Sequence, residues 1–516
     1  LEYLRHFNHY NQDEKMKVSI KNKIHIGFMQ SFGIDCCRLN LVIAWTFVPL
    51  AYCLSSCRKF LDIPPPVTQL VTASVFNDGP TATAAQLTIY TQMWGNAESF
   101  NMAVDLGLYS DELQNYSATP NNLALYTNSL LAVNNSTWNT YVGGNNYYLY
   151  IYEANAIISG LQSTSGVSAV VKQQLIGEAY FIRAFWHFYL TEIYGDVPLA
   201  LTTDYTVTST LPRTPRLQVL QQVVNDLKVA DSLLNAGYID ASDTTITTER
   251  TRPNKAAAMA LLARAYLYIG DYSKDASYFV NAATAASSVI VNPQYSLTNL
   301  NNVFLANSSE AIWQLQTPQP PPNADTYDGE YFILLGAPQN RGSNNSTTIS
   351  DQLLSTFETG DLRKINWIDS ITEGPSAYYF PYKYKNYLYI GTEYNTVLRL
   401  SEQYLIRAEA EANVGDSTDA ISDLNVIRAR AGLSSYADTT QGSLLSAILH
   451  ERQVELFTEW GHRWFDLCRS GNAISVMSTV CPQKGGTWNP NGYQVLFPIP
   501  KTELINDVNL TQNPGY

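Results

Sequence analysis

The chain has 516 residues and a net charge of −13, from 32 basic and 45 acidic side chains. Hydrophobic residues make up 45% and charged residues 15%, enough apolar material for a packed core, which excludes a mainly disordered chain. The acidic balance excludes a nucleic-acid partner, which needs a basic face to displace counterions, and 35 tyrosines among sparse Lys and Arg suit neutral, hydroxyl-rich ligands better than phosphates.

The chain opens at Leu1, and Met16 and Met29 are candidate starts in a basic stretch that includes Lys15, Lys17, Lys21, Lys23 and Arg38. The apolar run LVIAWTFVPLAYCL, 41–54, is shorter than the roughly 20 residues of a membrane helix and fits the core of a signal peptide, expected over 1–56. It ends in Leu54-Ser55-Ser56-Cys57, which resembles a bacterial lipobox. Small residues admit a signal peptidase, and Cys57 then carries the lipid. Acyl chains gain about 0.8 kcal/mol per buried methylene, so two or more hold a protein on a membrane. Residues 57–66 (Cys57, then RKFLDIPPP) read as a lipidated tether, and 67–516 as a single domain. No later stretch is apolar and long enough to span a bilayer. Past Cys57 only Cys468 and Cys481 remain, either as a disulfide or as small buried hydrophobes. With no CxxC pair and no HExxH, neither a metal nor another cofactor is expected.

Apolar spacing of three and four predicts helices over 67–94, 138–161 and 172–194. The last carries Ala179, Ile182, Phe185, Trp186, Tyr189 and Ile193 on one stripe and stops at Gly195-Asp196-Val197-Pro198. A further helix covers 215–236, opening at Pro215. Residues 254–291 and 401–432 form a weak repeat: an Ala-rich helix ends at Gly-Asp (Gly270-Asp271, Gly415-Asp416) and a second opens at once. Tyr266, Gly270 and Tyr272, and Gly415 and Ala420, fit tetratricopeptide spacing. Between these blocks, 292–398 is irregular, with only short strands expected. It holds a Pro-rich loop at 317–331, an Asn/Ser loop at 340–348 and a Tyr-rich segment at 378–389 whose alternation fits an edge strand. Segments 433–443 and 470–498 also read as loops. The expected fold class is mostly α: tetratricopeptide-like helical pairs forming a platform, with a long irregular, loop-rich cap around 292–398 containing a few short strands. A structureless stretch of that length is usually functional.

Six motifs stand in order along the chain. They are Cys57 with Phe60-Leu61-Asp62; Tyr152-Glu153-Ala154-Asn155-Ala156-Ile157-Ile158; Gly177-Glu178-Ala179 with Arg183-Ala184; Gly195-Asp196-Val197-Pro198-Leu199; ERQVELFTEWGHRWFDLCRSG at 451–471; and LFPIP at 496–500 with LTQNPGY at 510–516. In this order they resemble the SusD/RagB family of outer-membrane lipoproteins, from Cys57 to Tyr516. One departure is Trp460, standing between Glu459 and Gly461 where the family more often runs Glu-Gly directly. The resemblance implies a mostly α fold and a surface-exposed glycan site on the irregular region. It also implies an outer-membrane location through lipid on Cys57, and a SusC-like TonB-dependent transporter as partner.

The segment 451–466 places Glu451 and Glu455, and His462 and Asp466, one helical turn apart. Two carboxylates on one helix face the same way and do not flank a glycosidic bond from opposite sides. With Arg452, Arg463 and Arg469 interleaved, an internal ion-pair network is the expectation, and no catalytic residue is assigned. Glycan binding instead uses flat rings over the sugar's C–H face and amides or charges at its hydroxyl rim. The candidate residues are therefore loop aromatics near such groups: Tyr116 and Tyr126 with Asn121, Tyr327 and Tyr331, and Arg341 in the following loop. Trp138, Trp186, Trp313 and Trp464 lie in apolar-patterned segments and read as core. The expected function is a lipid-anchored protein that captures oligo- or polysaccharide and passes it, uncut, to the transporter. A peptide ligand on the same architecture, a secreted glycoside hydrolase and a tetratricopeptide scaffold for another protein are the alternatives, in that order.

Overall fold

The structure is a computed structural model that describes residues 75–133, 147–318, 321–339 and 345–516. Cys57, Trp138 and Arg341 lie outside the described residues. The centre is the helix Ala169–Tyr194. Its Ser168 cap accepts the Val171 N–H, and it ends at Gly195, whose φ of +73° suits glycine. A Cβ there would also meet Leu496 at 2.8 Å. Every residue from 181 to 194 is buried, so this half is covered on all sides and not only along the predicted stripe. Helices Tyr147–Ser163 and Arg216–Leu233 flank it, and Tyr147 stacks on Trp186 at 4.0 Å. Trp186, Trp313 and Trp464 are all fully buried.

The two predicted helical pairs form: Lys255–Ser273 with Ala276–Ile290, and Leu400–Val414 with Ser417–Arg430. They stack through Ala276–Ile290 against Leu400–Val414. The turns differ from the repeat as read. Gly415 ends its helix with φ +89°, but Gly270 lies inside Lys255–Ser273, and the break falls at Lys274, φ +59°. Gly270 serves contact instead: a Cβ there would strike Phe279 at 2.7 Å.

The C-terminal motif folds as helices Gln441–Leu456 and His462–Arg469. Between them Thr458, Trp460 and Gly461 all take positive φ, and the Trp460 indole, buried, donates to the Thr396 carbonyl at 3.1 Å. The family departure thus becomes a core anchor. Loop 470–498 is corrected: it contains the helix Ala473–Gln483. Cys468 and Cys481 are free thiols, near the carbonyls of Val495 and Thr127 respectively.

The irregular region carries short antiparallel pairs: Ala311–Leu315 with Asn395–Arg399, Leu113–Asn115 with Thr347–Ile349, and the hairpin Ile368–Glu373 with Ser376–Pro381. Gly374 (φ +59°) at its turn matches two-residue hairpin geometry. The expectation of strands alone is corrected by short helices at Tyr327–Phe332, Asp351–Thr356 and Leu362–Asn366. The strand predicted over 378–389 ends at Pro381, and Lys383 and Tyr384 are both buried instead of alternating.

Candidate functional site: an aromatic face

The Pro-rich segment leads into a helix of six residues, Tyr327–Phe332, capped by the Thr326 hydroxyl, which accepts from Gly329 N at 3.0 Å. Tyr327 and Tyr331, one turn apart, share a side of it. Their rings lie 5.5 Å apart at 32°. Tyr327 packs on Trp94 at 4.6 Å, and Tyr331 meets Phe100 edge-on at 5.1 Å. Trp94 closes the helix Gly79–Gly95 and Phe100 opens Glu98–Tyr109, so the turn between these helices supplies the backing rings. Trp94 is 5% exposed and Tyr327 and Tyr331 are half-buried, so the two tyrosines are the accessible members.

Polar anchors fix this face. The Asp325 carboxylate accepts the backbone N–H groups of Ile390 (2.9 Å), Gly391 (2.6 Å), Thr392 (3.0 Å) and Glu393 (3.2 Å), and the Asn386 side-chain amide at 2.7 Å. Burial works to raise its pKa, but these donors outweigh it and hold it below the usual carboxylate range. Asp328 is fully buried and takes the Asn395 amide at 2.9 Å, and burial pushes it up to about 7. Asp325 therefore staples the 386–393 loop to the helix, and Asp328 ties the helix to the strand Asn395–Arg399. Asn345 then joins the far end: its side-chain amide donates to the carbonyls of Tyr331 (3.2 Å) and Ile333 (2.9 Å).

The next residue, Ser346, accepts the Tyr116 N–H at 2.8 Å, which brings Tyr116 into the same region. Tyr116 is 39% exposed and meets Tyr378 edge-on at 5.8 Å. Of the rings chosen from sequence, Tyr327 and Tyr331 lie together, and Tyr116 is joined through Ser346 to the segment whose Asn345 bonds the Tyr331 carbonyl. The reading of Tyr116 to Tyr126 as a polar loop is corrected, since Pro120–Tyr126 is a helix. Tyr126 is half-buried, as Tyr327 and Tyr331 are; its hydroxyl donates to Gln114 at 2.6 Å and the Lys484 ammonium lies over its ring at 5.2 Å. Asn121 sits half-buried on that helix and is engaged within the structure. Trp94, Phe100 and Tyr378 were not among the sequence candidates. The Trp94-Gly95-Asn96 helix end was the available signal, an aromatic placed where a helix must stop.

The carboxylates of 451–466 are elsewhere and committed. Arg399 reaches Glu310 (3.0 Å), Glu455 (2.6 Å) and Glu459 (2.7 Å), Arg363 binds Asp361 and Glu455, and Arg452 binds Asp466 at 2.7 Å. Burial alone would raise Glu455, but Arg430, Arg399 and Arg363 hold it well below its usual range. Burial, reinforced by Arg264 and Arg452, keeps His462 neutral. The arginines and carboxylates of this set pair with one another inside the fold. Among the described residues no cluster of His, Cys, Asp and Glu suits a metal ion, and no helix is long and apolar enough to cross a membrane.

Comparison with known proteins matches residues 59–267 to a family described as "Starch-binding associating with outer membrane" and residues 343–516 to the "SusD family". The chain belongs to the SusD/RagB family. This SusD/RagB chain is 28% identical over 424 residues to SusD-like protein P2 of Formosa agariphila, covering 72% of this chain and 79% of that protein. It is 23% identical to the starch-binding protein SusD of Bacteroides thetaiotaomicron, over 69% of this chain and 75% of that one. Its mostly α fold matches a SusD superfamily crystal structure from Bacteroides vulgatus with a TM-score of 0.71 at 22% identity, covering 85% of this chain and 99% of that one. Surface glycan-binding protein A from Bacteroides uniformis gives 0.67 at 21% identity, covering 84% and 98%.

Proposed function

We propose that this SusD/RagB protein is a surface-exposed, lipid-anchored glycan-binding protein that captures oligo- or polysaccharide and delivers it to a SusC-like TonB-dependent transporter, without cutting it. The single observation that carries the reading is the ring set Trp94, Tyr327 and Tyr331, held in place by the Asp325 and Asp328 anchors. A ring covers the C–H face of a pyranose, and a ring fixed beforehand costs little ordering on binding. Tyr327, Tyr331 and Tyr116 are the contacts of this site; Arg341, also a candidate from the sequence, lies outside the described residues. Relatives named for starch binding and for surface glycan binding support a carbohydrate ligand. The internal commitment of Glu451, Glu455 and Asp466 supports binding without hydrolysis. The run 41–54 and Leu54-Ser55-Ser56-Cys57 support a lipid on Cys57 and an outer-membrane address.

A soluble form starting after Cys57, screened against purified polysaccharides, tests the reading. The expected result is retention of at least one glycan, weakened by Tyr327→Ala, with no release of reducing ends. Release of reducing sugar, or affinity for peptides and for no glycan, defeats it.

A further inference from the structure

A second concave site shares no lining residue with the aromatic face. A cavity of about 450 Å3 opens between the start of helix Tyr147–Ser163, the end of helix Ala169–Tyr194, the segment 197–213 and the C-terminal helix Lys501–Asn506. This volume falls in the range of ~300–1,000 Å3 typical of small-molecule sites. Its walls are preformed by the chain's last motif. Arg213 donates to the carbonyls of Asp196 (2.7 Å), Tyr194 (3.1 Å) and Thr511 (2.7 Å), and Asn513 donates to those of Tyr194 (3.0 Å) and Phe497 (2.7 Å).

The lining selects a ligand class. Four tyrosines contribute: Tyr148, Tyr152, Tyr194 and Tyr205. Tyr194 is buried and Tyr148 spends its hydroxyl on the Pro198 carbonyl at 2.8 Å, whereas Tyr152 and Tyr205 are 49% and 78% exposed. Rings that open to water at a cavity mouth bury little on folding and have apolar area left for a ligand. Arg213 is the lining cation, and its guanidinium is occupied by the carbonyls above and by Asn513. Glu503 and Asp507 line the same cavity, so an anion meets negative charge and no available positive partner. What remains is flat apolar surface beside the hydroxyls of Thr208 and Ser209 and the amide of Asn506. That combination suits a neutral pyranose.

We propose that this cavity is a second carbohydrate site, taking one or two neutral sugar residues stacked on Tyr152 and Tyr205, independent of the aromatic face. The probes are maltose, cellobiose and mannobiose, observed by saturation-transfer NMR with the soluble chain carrying Tyr327→Ala, so that the aromatic face is weakened beforehand. Saturation is expected at the ring protons of at least one disaccharide, and to fall at least fivefold (an order-of-magnitude expectation for two lost stacking rings) when Tyr152→Ala and Tyr205→Ala are added. Both are surface tyrosines, and an unchanged melting curve and circular dichroism spectrum certify the fold. Absence of saturation for all three sugars, an unchanged signal in the cavity variant, or displacement by inorganic phosphate overturns the proposal. The second site is read in the Tyr327→Ala background, and the aromatic face by its own polysaccharide screen, so failure of either leaves the other standing.

Discussion

The C-terminal charge lattice and the aromatic face are both dense in functional-looking side chains, yet they use them oppositely. In the lattice Arg363, Arg399 and Arg452 are fully buried and answered by Glu455, Glu459 and Asp466. In the aromatic face the charges, Asp325 and Asp328, lie behind the rings as anchors, and Tyr327 and Tyr331 retain open surface. Chemistry-bearing residue types therefore mark a site only where their bonding is incomplete. Internal satisfaction turns the same residues into framework.

The sharpest way to break this contrast is Arg399→Met, which leaves Glu310, Glu455 and Glu459 short of a buried partner. Removing one member of such a set costs about 3–5 kcal/mol, measurable by urea unfolding, and a loss below about 1 kcal/mol would reduce the lattice to ornament. The pH dependence follows. Glu455 is depressed in the folded state, so its contribution is present above the ordinary carboxylate pKa of 4.5 and lost as pH falls toward its folded value. Arg399→Met weakens that depression, and the acid-unfolding midpoint should move to higher pH.

Next in size is Gly270→Ala, where the added methyl meets Phe279. Overpacking of this kind costs about 1–3 kcal/mol, and a melting temperature equal to the parent's would refute the close helix contact. At the aromatic face, Tyr327→Ala should weaken glycan affinity about tenfold, near 1.4 kcal/mol, by calorimetric titration, while Tyr327→Phe keeps the ring and most of the affinity. The smallest effect belongs to Tyr126→Phe. Loss of its bond to Gln114 should lower stability by about 1 kcal/mol, read by urea unfolding, and a stability equal to that of the unsubstituted protein would show that the bond contributes nothing.

The long helices were legible because apolar residues recur every three to four positions, as in 216–233, where Val219, Leu220, Val223, Val224, Leu227 and Ala230 are buried. Identical local text still misled at Gly270-Asp271 and Gly415-Asp416. Gly415 meets nothing within 4 Å and is free to end its helix, whereas Gly270 lies against Phe279 and stays helical. Tyr327 and Tyr331 were legible as aromatics in a Pro-rich segment. Trp94, which backs them, was not, because it belongs to a distant helix whose own pattern gives no sign of that neighbour.

By itself the sequence determined the helical class, the order of the family motifs and the internal pairing of the 451–469 charges, since each depends on short spacings along the chain. Only the tertiary structure decided which rings share a face, that Tyr126 bonds Gln114, and that Leu510 lines a cavity with Arg213, which Thr511 and Asn513 hold in place. Those outcomes depend on which surfaces meet across long chain separations, and short-range periodicity carries no record of such meetings.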